Sequence, residues 1–296
     1  MKPAQASNTA KAIAASTILL DSDPRTAAQV APGAAALCRQ LLSGNRADRW
    51  LARSAAHPLT RLLWRWVERL TLPGIMSHYW RRKRWIEKRC RDAVAQGFGR
   101  IVILGAGFDT LGLRLSRELH QIEIIEIDHP ATQHAKRHAL AGHAEAQAAN
   151  LRYIPLDLST APLPALLFND SKAAVFICEG VLMYLPPDEI ARLFDALRKG
   201  SGGRMRILFS FMTKWPDGSS GFRPRSWWIE RWLAWRGELF TWAIAPEAMH
   251  DFLASHGFGL MEMALTGQFT EPSNTHASTL DGENLAMCEP ASASGQ

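Results

Sequence analysis

The sequence predicts an α/β fold: a mostly parallel sheet, antiparallel at its C-terminal edge, with helices on both faces and a helical N-terminal lid. Three observations point there. From Arg100 onward, apolar runs of strand length alternate with helical patterns, as successive βαβ units require. The first of those runs ends in a glycine turn, "GAG", that opens a helix. All 11 tryptophans lie outside residues 100–212, five before and six after, so the middle block is built differently from its flanks.

Taken in order, the N-terminal third reads as helical. In "PLTRLLWRWVERL", Leu59, Leu62, Leu63, Trp66, Val67 and Leu70 fall on one face at the 3.6-residue period. A helix lying on a membrane surface carries the same stripe. A lid packed on the following domain accounts for it with fewer assumptions. The strands then read "RIVILGAG", "QIEIIEID", "LRYIPLDL", "AAVFICEGV" and "RMRILFSFM". Between them "HPATQHAKRHALAGH" and "PPDEIARLFDALRKG" are helical, the second opening on Pro-Pro-Asp-Glu and closing at Gly200. The link between the third and fourth strands is short and contains proline, so no firm helix is expected there. A Trp- and Arg-rich insertion follows the fifth strand, and "PEAMHDFLASHGF" reads as a helix ended by Gly257. Two final apolar runs, "FGLMEMAL" and "NLAMCEP", suit pairing at one sheet edge. The organisation predicted is a lid over residues 1–99, a nucleotide-binding domain over 100–290 with a lid insertion at 213–245, and a disordered tail at 291–296.

Bulk properties narrow the class. With 296 residues, 47% hydrophobic, the chain is long enough to bury a substantial core. Cys38, Cys90, Cys178 and Cys288 are widely spaced with no CxxC pair, which suits free thiols in a reducing cytoplasm. No stretch approaches the roughly 20 apolar residues of a membrane helix, and "AIAASTILL" runs into "DSDP" without a small-residue cleavage site. Residues 1–100 carry 18 Lys and Arg against 6 Asp and Glu; the remainder carries 16 against 22. A basic front third could meet nucleic acid or anionic lipid, but a solvated helical surface is the simpler reading.

The strand ends hold the candidate chemistry. Gly105 and Gly107 form GxG, but Thr110 stands where a dinucleotide fold places its third glycine. That glycine serves close helix approach and contact with a pyrophosphate. NAD, a flavin and S-adenosylmethionine all accept such a turn, although the last has no phosphate and needs only close main-chain approach. Asp128 ends the second strand, where a carboxylate accepts both hydroxyls of an adenosyl ribose. Glu126 alternates with it and suits a structural role. Asp157 ends the third strand, placed for an adenine amino group, with Leu158 packing on the ring. Glu179 ends the fourth, facing the crevice. Each carboxylate alone reads equally well as a polar strand end. Four tips carrying Gly, Asp, Asp and Glu in order favour a cationic cofactor over a pyrophosphate.

"VILGAGFDTLGLRL", "EIDHP", "LDL" and "CEGVLMYLPPDEI" together resemble the leucine carboxyl methyltransferase family, as does "RGELFTWAIAPEAMHDFLASHGF". The resemblance runs from about Ser7 to Glu289. It implies a Rossmann-like class I methyltransferase sheet, S-adenosyl-L-methionine as cofactor, and methyl transfer to an oxygen of a small-molecule acceptor, polyketide-like compounds among the candidates. By matching motif it implies cofactor contacts at Gly105, Gly107, Asp128, Asp157, Leu158 and Glu179. It further implies that Arg82, in "YWRRKRWIE", pairs with the methionyl carboxylate, as a bidentate guanidinium suits. The alternatives are a solvated basic face, Arg81 to Arg84, or a register centred on Arg84. Tyr184 matches a tyrosine near the methyl-transfer centre, or is a core aromatic. In "SNTAKAIAAS" the basic cofactor contact of some members is not placed. The expected chemistry is an in-line displacement, for which proximity and a water-poor pocket supply up to ~7–11 kcal/mol. A carboxylate acceptor, with a pKa near ~4, is ionised unaided. A hydroxyl wants a base, and no histidine stands in an evident position for it.

Other readings are weaker. His134 and His138 sit at i, i+4 spacing with His129 and His143 nearby, but no third ligand completes a metal set, so none is expected. The basic, Trp-rich flanks would stack RNA bases, yet Trp228, Trp232 and Trp235 recur at helical spacing and read as lid core. A nucleic-acid methyltransferase, a non-catalytic cofactor-binding module and an NAD(P) dehydrogenase are therefore the rival classes, in that order. Oligomeric state is left open.

Overall fold

A computed structural model describes residues 8–141, 148–168, 170–200, 204–225, 231, 240–269 and 280–291. The expected lid-core tryptophans Trp228, Trp232 and Trp235, His143 and the tail at 292–296 lie outside these residues. Five helices come first: α1 (Asn8–Asp21), α2 (Ala34–Leu41), α3 (Arg46–Ala56), α4 (Pro58–Thr71) and α5 (Ile75–Ala95). The alternating block follows as β1 (Arg100–Leu104), α6 (Leu111–Glu118), β2 (Glu123–Asp128), α7 (Pro130–Leu140) and β3 (Leu151–Pro155). It continues with β4 (Ala174–Cys178), α8 (Pro187–Gly200), β5 (Met205–Met212), α9 (Met249–Ser255), β6 (Phe258–Ala264) and β7 (Glu283–Pro290). Among its described residues the β3–β4 link holds only one short helical element, the 3-10 turn Ala165–Leu167, as its prolines suggest.

The seven strands order as β3-β2-β1-β4-β5-β7-β6. β1 to β5 run parallel. β7 enters between β5 and β6, antiparallel to both. Side chains alternate across this sheet at period two. Ile101, Ile103, Val175 and Ile177 face a core shared with α1, α2, α3, α5 and α6. Val102, Leu104, Phe176 and Cys178 face a second core with α8 and α9. The predicted N-terminal lid is thus part of the main core. "AIAASTILL" is one of its walls, with Ile18, Leu19 and Leu20 buried. Fully burying each such side chain contributes at most ~1.5–3 kcal/mol.

One expectation fails here. The apolar stripe of α4 does not pack as a lid; it faces outward, Leu59 at 73% exposure and Trp66 at 62%. The polar side of the helix docks instead. Arg61 donates to the Ser22 carbonyl, Arg65 pairs with Asp23 at 2.7 Å, and Trp64 Nε1 donates to Ser54 Oγ at 3.3 Å. Glu68 accepts from the Met76 amide at 3.0 Å. These four share one face at helical spacing. Periodicity reveals that a helix has two faces, not which one its neighbours choose.

Candidate active site

The parallel strands point their C-terminal ends at one crevice, the usual ligand edge of such sheets. Gly105 leaves β1 at φ 70 and Gly107 follows at φ 50, a left-handed backbone that glycine adopts without strain. A Cβ on Gly105 would also drive into Val181 Cγ2, beyond the tip of β4. A Cβ on Gly107 would stand 3.3 Å from the Ala10 methyl, so α1 lies against the same turn. Lys11, the next residue, pairs with Asp48 of α3 at 2.9 Å.

Asp128 at the end of β2 locks onto this turn. One carboxylate oxygen accepts from the Gly107 amide, the other from the His129 amide at 2.6 Å. Burial raises its pKa and the two amides only partly offset that. Asp157 lies two residues past β3, its Oδ2 3.9 Å from His129 Nε2. Burial pushes it upward, but the Ser159 hydroxyl at 2.7 Å and amide at 3.0 Å outweigh burial and leave its pKa lowered. Leu158 packs against the α8-side core. Glu126 is turned away from the crevice and pairs with buried Lys136 at 2.7 Å, which also donates to the Asp109 carbonyl of the glycine turn at 2.6 Å.

At β4 the cluster is ionic. Arg82 reaches in from α5 and donates through Nε to Glu179 Oε1 at 2.9 Å and through a terminal nitrogen to Glu283 Oε1. Its second terminal nitrogen lies 2.8 Å from Glu179. Lys83 bridges Asp109 at 2.9 Å and Glu179 at 3.1 Å. Glu283, the first residue of β7, also lies 2.9 Å from His78 Nε2. The side chains of Arg82, Lys83, Glu179 and Glu283 are buried, whereas Arg84 is exposed, so Arg82 and not Arg84 turns toward the strand ends. Burial raises the carboxyls of Glu283 and Asp109, but the cations Arg82 and Lys83 more than reverse it and bring each to about 2. Burial lowers the pKa of His78 more than Glu283 raises it, leaving it below its usual value.

Tyr184 ends a 3-10 turn, Leu182–Tyr184, and is half-buried. Its ring lies 5.8 Å from Phe240, Phe240 lies 6.4 Å from Phe222, and Phe222 lies 5.6 Å from His78. The Thr241 amide donates to the Met183 carbonyl at 2.8 Å, tying the end of the insertion to the turn that carries Tyr184. A row of aromatic rings therefore borders the β4 end of the crevice.

Gly105, Gly107, Asp128 and Asp157 form one linked chain of contacts along the strand ends. Val181, at the turn beyond Glu179, continues it to Glu179 and Arg82. His78, Lys83, Asp109 and Glu283 were not singled out from sequence. Asp109 stands inside the quoted "GAGFDT", and Lys83 beside Arg82, so both carried a signal. His78 and Glu283 carried none, being separated by 205 positions. His134 and His138 stack on the outer helix α7 at 6.3 Å between ring centres, and no group of three metal-ligating side chains forms among the described residues.

The chain is similar to several known proteins. A 30% identical protein of Mycolicibacterium smegmatis, provisionally named an S-adenosyl-L-methionine-dependent methyltransferase, aligns over 187 residues, 60% of each chain. A 36% identical protein of Mycobacterium bovis with the same kind of name aligns over 117 residues, 38% of each chain. The match thus spans 60% or less of these curated relatives' lengths. A crystal structure from Thermobifida fusca, titled provisionally as a methyltransferase, superposes with a TM-score of 0.58 over 86% of this chain and 93% of its own. At 18% identity it speaks for the fold alone. The sequence model named leucine carboxyl methyltransferase matches residues 30–198, from before α2 through β1, β2, β3 and β4 into α8. With more than half its length matched, and the tips of β1, β2, β3 and β4 inside that span, the chain belongs to the leucine carboxyl methyltransferase family.

Proposed function

We propose that this protein is an S-adenosyl-L-methionine-dependent O-methyltransferase acting on a small apolar molecule through a carboxylate or hydroxyl oxygen. The observation that carries the reading is the charge of the crevice. Among the described residues the carboxylates of Asp109, Asp128, Asp157, Glu179 and Glu283 outnumber the cations Arg82, Lys83 and Lys136 brought to them, so the site is net acidic. A sulfonium cofactor with net positive charge suits it, and a pyrophosphate meets like charge.

The residues fit that cofactor. Gly105 opens the main chain to close approach where any side chain would strike Val181. Each oxygen of Asp128 keeps accepting capacity after its amide bond, enough for two ribose hydroxyls. Asp157 and Leu158 would hold the adenine. Arg82 would offer its remaining N–H groups to the methionyl carboxylate, with Glu179 available to the ammonium. The bound cofactor supplies an electrophilic methyl group. Tyr184, with Phe222 and Phe240, would orient an apolar, ring-bearing acceptor and exclude water. Four buried thiols suit a cytoplasmic enzyme.

The test is isothermal titration of the full chain with S-adenosylmethionine, S-adenosylhomocysteine and NADH. The first two should bind and NADH should not; the reverse pattern would overturn the proposal. Radiolabelled methyl transfer across carboxylic and phenolic acceptors then reports the reaction. Tyr184→Phe should lower turnover there, and unchanged turnover would remove Tyr184 from the site.

A further inference from the structure

We infer that the outward face of α4, with the neighbouring end of α3, docks on an anionic lipid bilayer. Leu59, Leu62, Leu63, Trp66, Val67 and Leu70 are exposed by 42–75%, and Trp50 of α3 by 66%. The stripe is outward by construction, because Arg61, Trp64, Arg65 and Glu68 hold the opposite face to the protein. A contiguous apolar stripe of this size marks an interaction surface.

Charge selects the partner. Arg46, Arg49, Arg53 and Arg69 rim the stripe and are exposed. The two carboxylates within residues 43–70 are turned inward: Asp48 pairs with Lys11 and Asn45, and Glu68 with the Met76 amide. The exposed charges on α3 and α4 are therefore cationic. A second copy docking by two-fold symmetry would set that rim against itself. A bilayer with anionic headgroups accepts all parts of the surface at once. The leucines enter the acyl boundary, both tryptophans sit at headgroup level, and the arginines meet phosphates. Among the described residues no helix is long and apolar enough to cross a membrane, so attachment would be peripheral. The helix, roughly 20 Å long, would lie in the membrane plane.

The experiment is flotation of the full chain with vesicles of phosphatidylcholine alone or with about one third phosphatidylglycerol. Expected is capture by the anionic vesicles only, weakening as salt rises. The paired change Leu63→Ser with Trp66→Ser should abolish it. Arg46→Gln, Arg49→Gln, Arg53→Gln and Arg69→Gln should each weaken partitioning by about fivefold. These residues are exposed and outside the crevice, so circular dichroism and cofactor titration should stay at wild-type values. The salt response of the unmodified chain is a readout that needs no variant. Failure to float with anionic vesicles, or equal capture by neutral ones, would overturn the inference. So would a dimer in sedimentation that Leu63→Ser with Trp66→Ser converts to monomer, or capture of an acidic protein with no capture by lipid.

Discussion

Single residues do two kinds of work in the crevice, conformational and electrostatic. Gly105 is conformational: its positive φ and the adjoining Val181 leave no room for a methyl group. Gly105→Ala should cost about 1–3 kcal/mol of stability through backbone strain and crowding. It should weaken S-adenosylhomocysteine binding at least tenfold by titration. Arg82 is electrostatic. Arg82→Ala removes the guanidinium that Glu179 and Glu283 share in a buried site, leaving Glu179 to Lys83 and Glu283 to the uncharged His78, and urea unfolding should show a loss of about 3–5 kcal/mol. Arg82→Lys should recover part of that, since a lysine keeps the charge but not the two-sided fork. The strand-tip residues were legible because each sits in a short string whose chemistry is local: a turn, a strand end, a helix start. Arg82 was legible only with help from family resemblance, since four consecutive basic residues give no internal sign of which one turns inward.

At the level of elements, boundaries followed from capping and periodicity more than from composition. α3 opens on Asn45, whose side chain accepts from the Asp48 amide at 2.9 Å. Asn45→Ala should therefore cost ~1 kcal/mol in thermal or urea unfolding. β1, β4 and β5 were readable as near-continuous apolar runs, the pattern of strands covered on both faces, whereas edge strand β3 is only partly buried. Pairing of the last two strands was readable as well, but not the insertion of β7 between β5 and β6, because spatial order depends on contacts between distant segments. α4 was readable as a helix and misread as a lid. Its amphipathic stripe would serve either side, and only the partners Asp23, Ser22 and Ser54 decide which side is buried.

For the whole molecule, buried titratable groups set the response to acid and to thiol reagents. His78 has a folded pKa below its usual 6.5, so below that pH the unfolded chain binds the extra proton. Stability is then fully present above about 6.5 and falls as pH drops. Glu283 and Asp109, both near 2 when folded, act in the same direction at lower pH. Their stabilisation is complete above about 4.5 and is lost as pH falls toward 2. Thermal scans should show a midpoint declining in two stages, and His78→Gln should flatten the upper one. Cys38, Cys90, Cys178 and Cys288 are all buried, and burial pushes Cys38 and Cys178 up to about 12. An aromatic disulfide reagent should label none of the four in the native protein and all four in denaturant.

The ties from Arg82 have a consequence for biogenesis. They fasten a helix from the first third of the chain to Glu179 at its middle and to Glu283 near its end. A ribosome emitting this polypeptide will have released α5 and β4 long before the residue that completes their charge balance exists. Until β7 threads into its slot, Arg82 has only one of its two glutamates, and a nascent chain halted before Glu283 should fail to retain a cofactor that the finished chain holds.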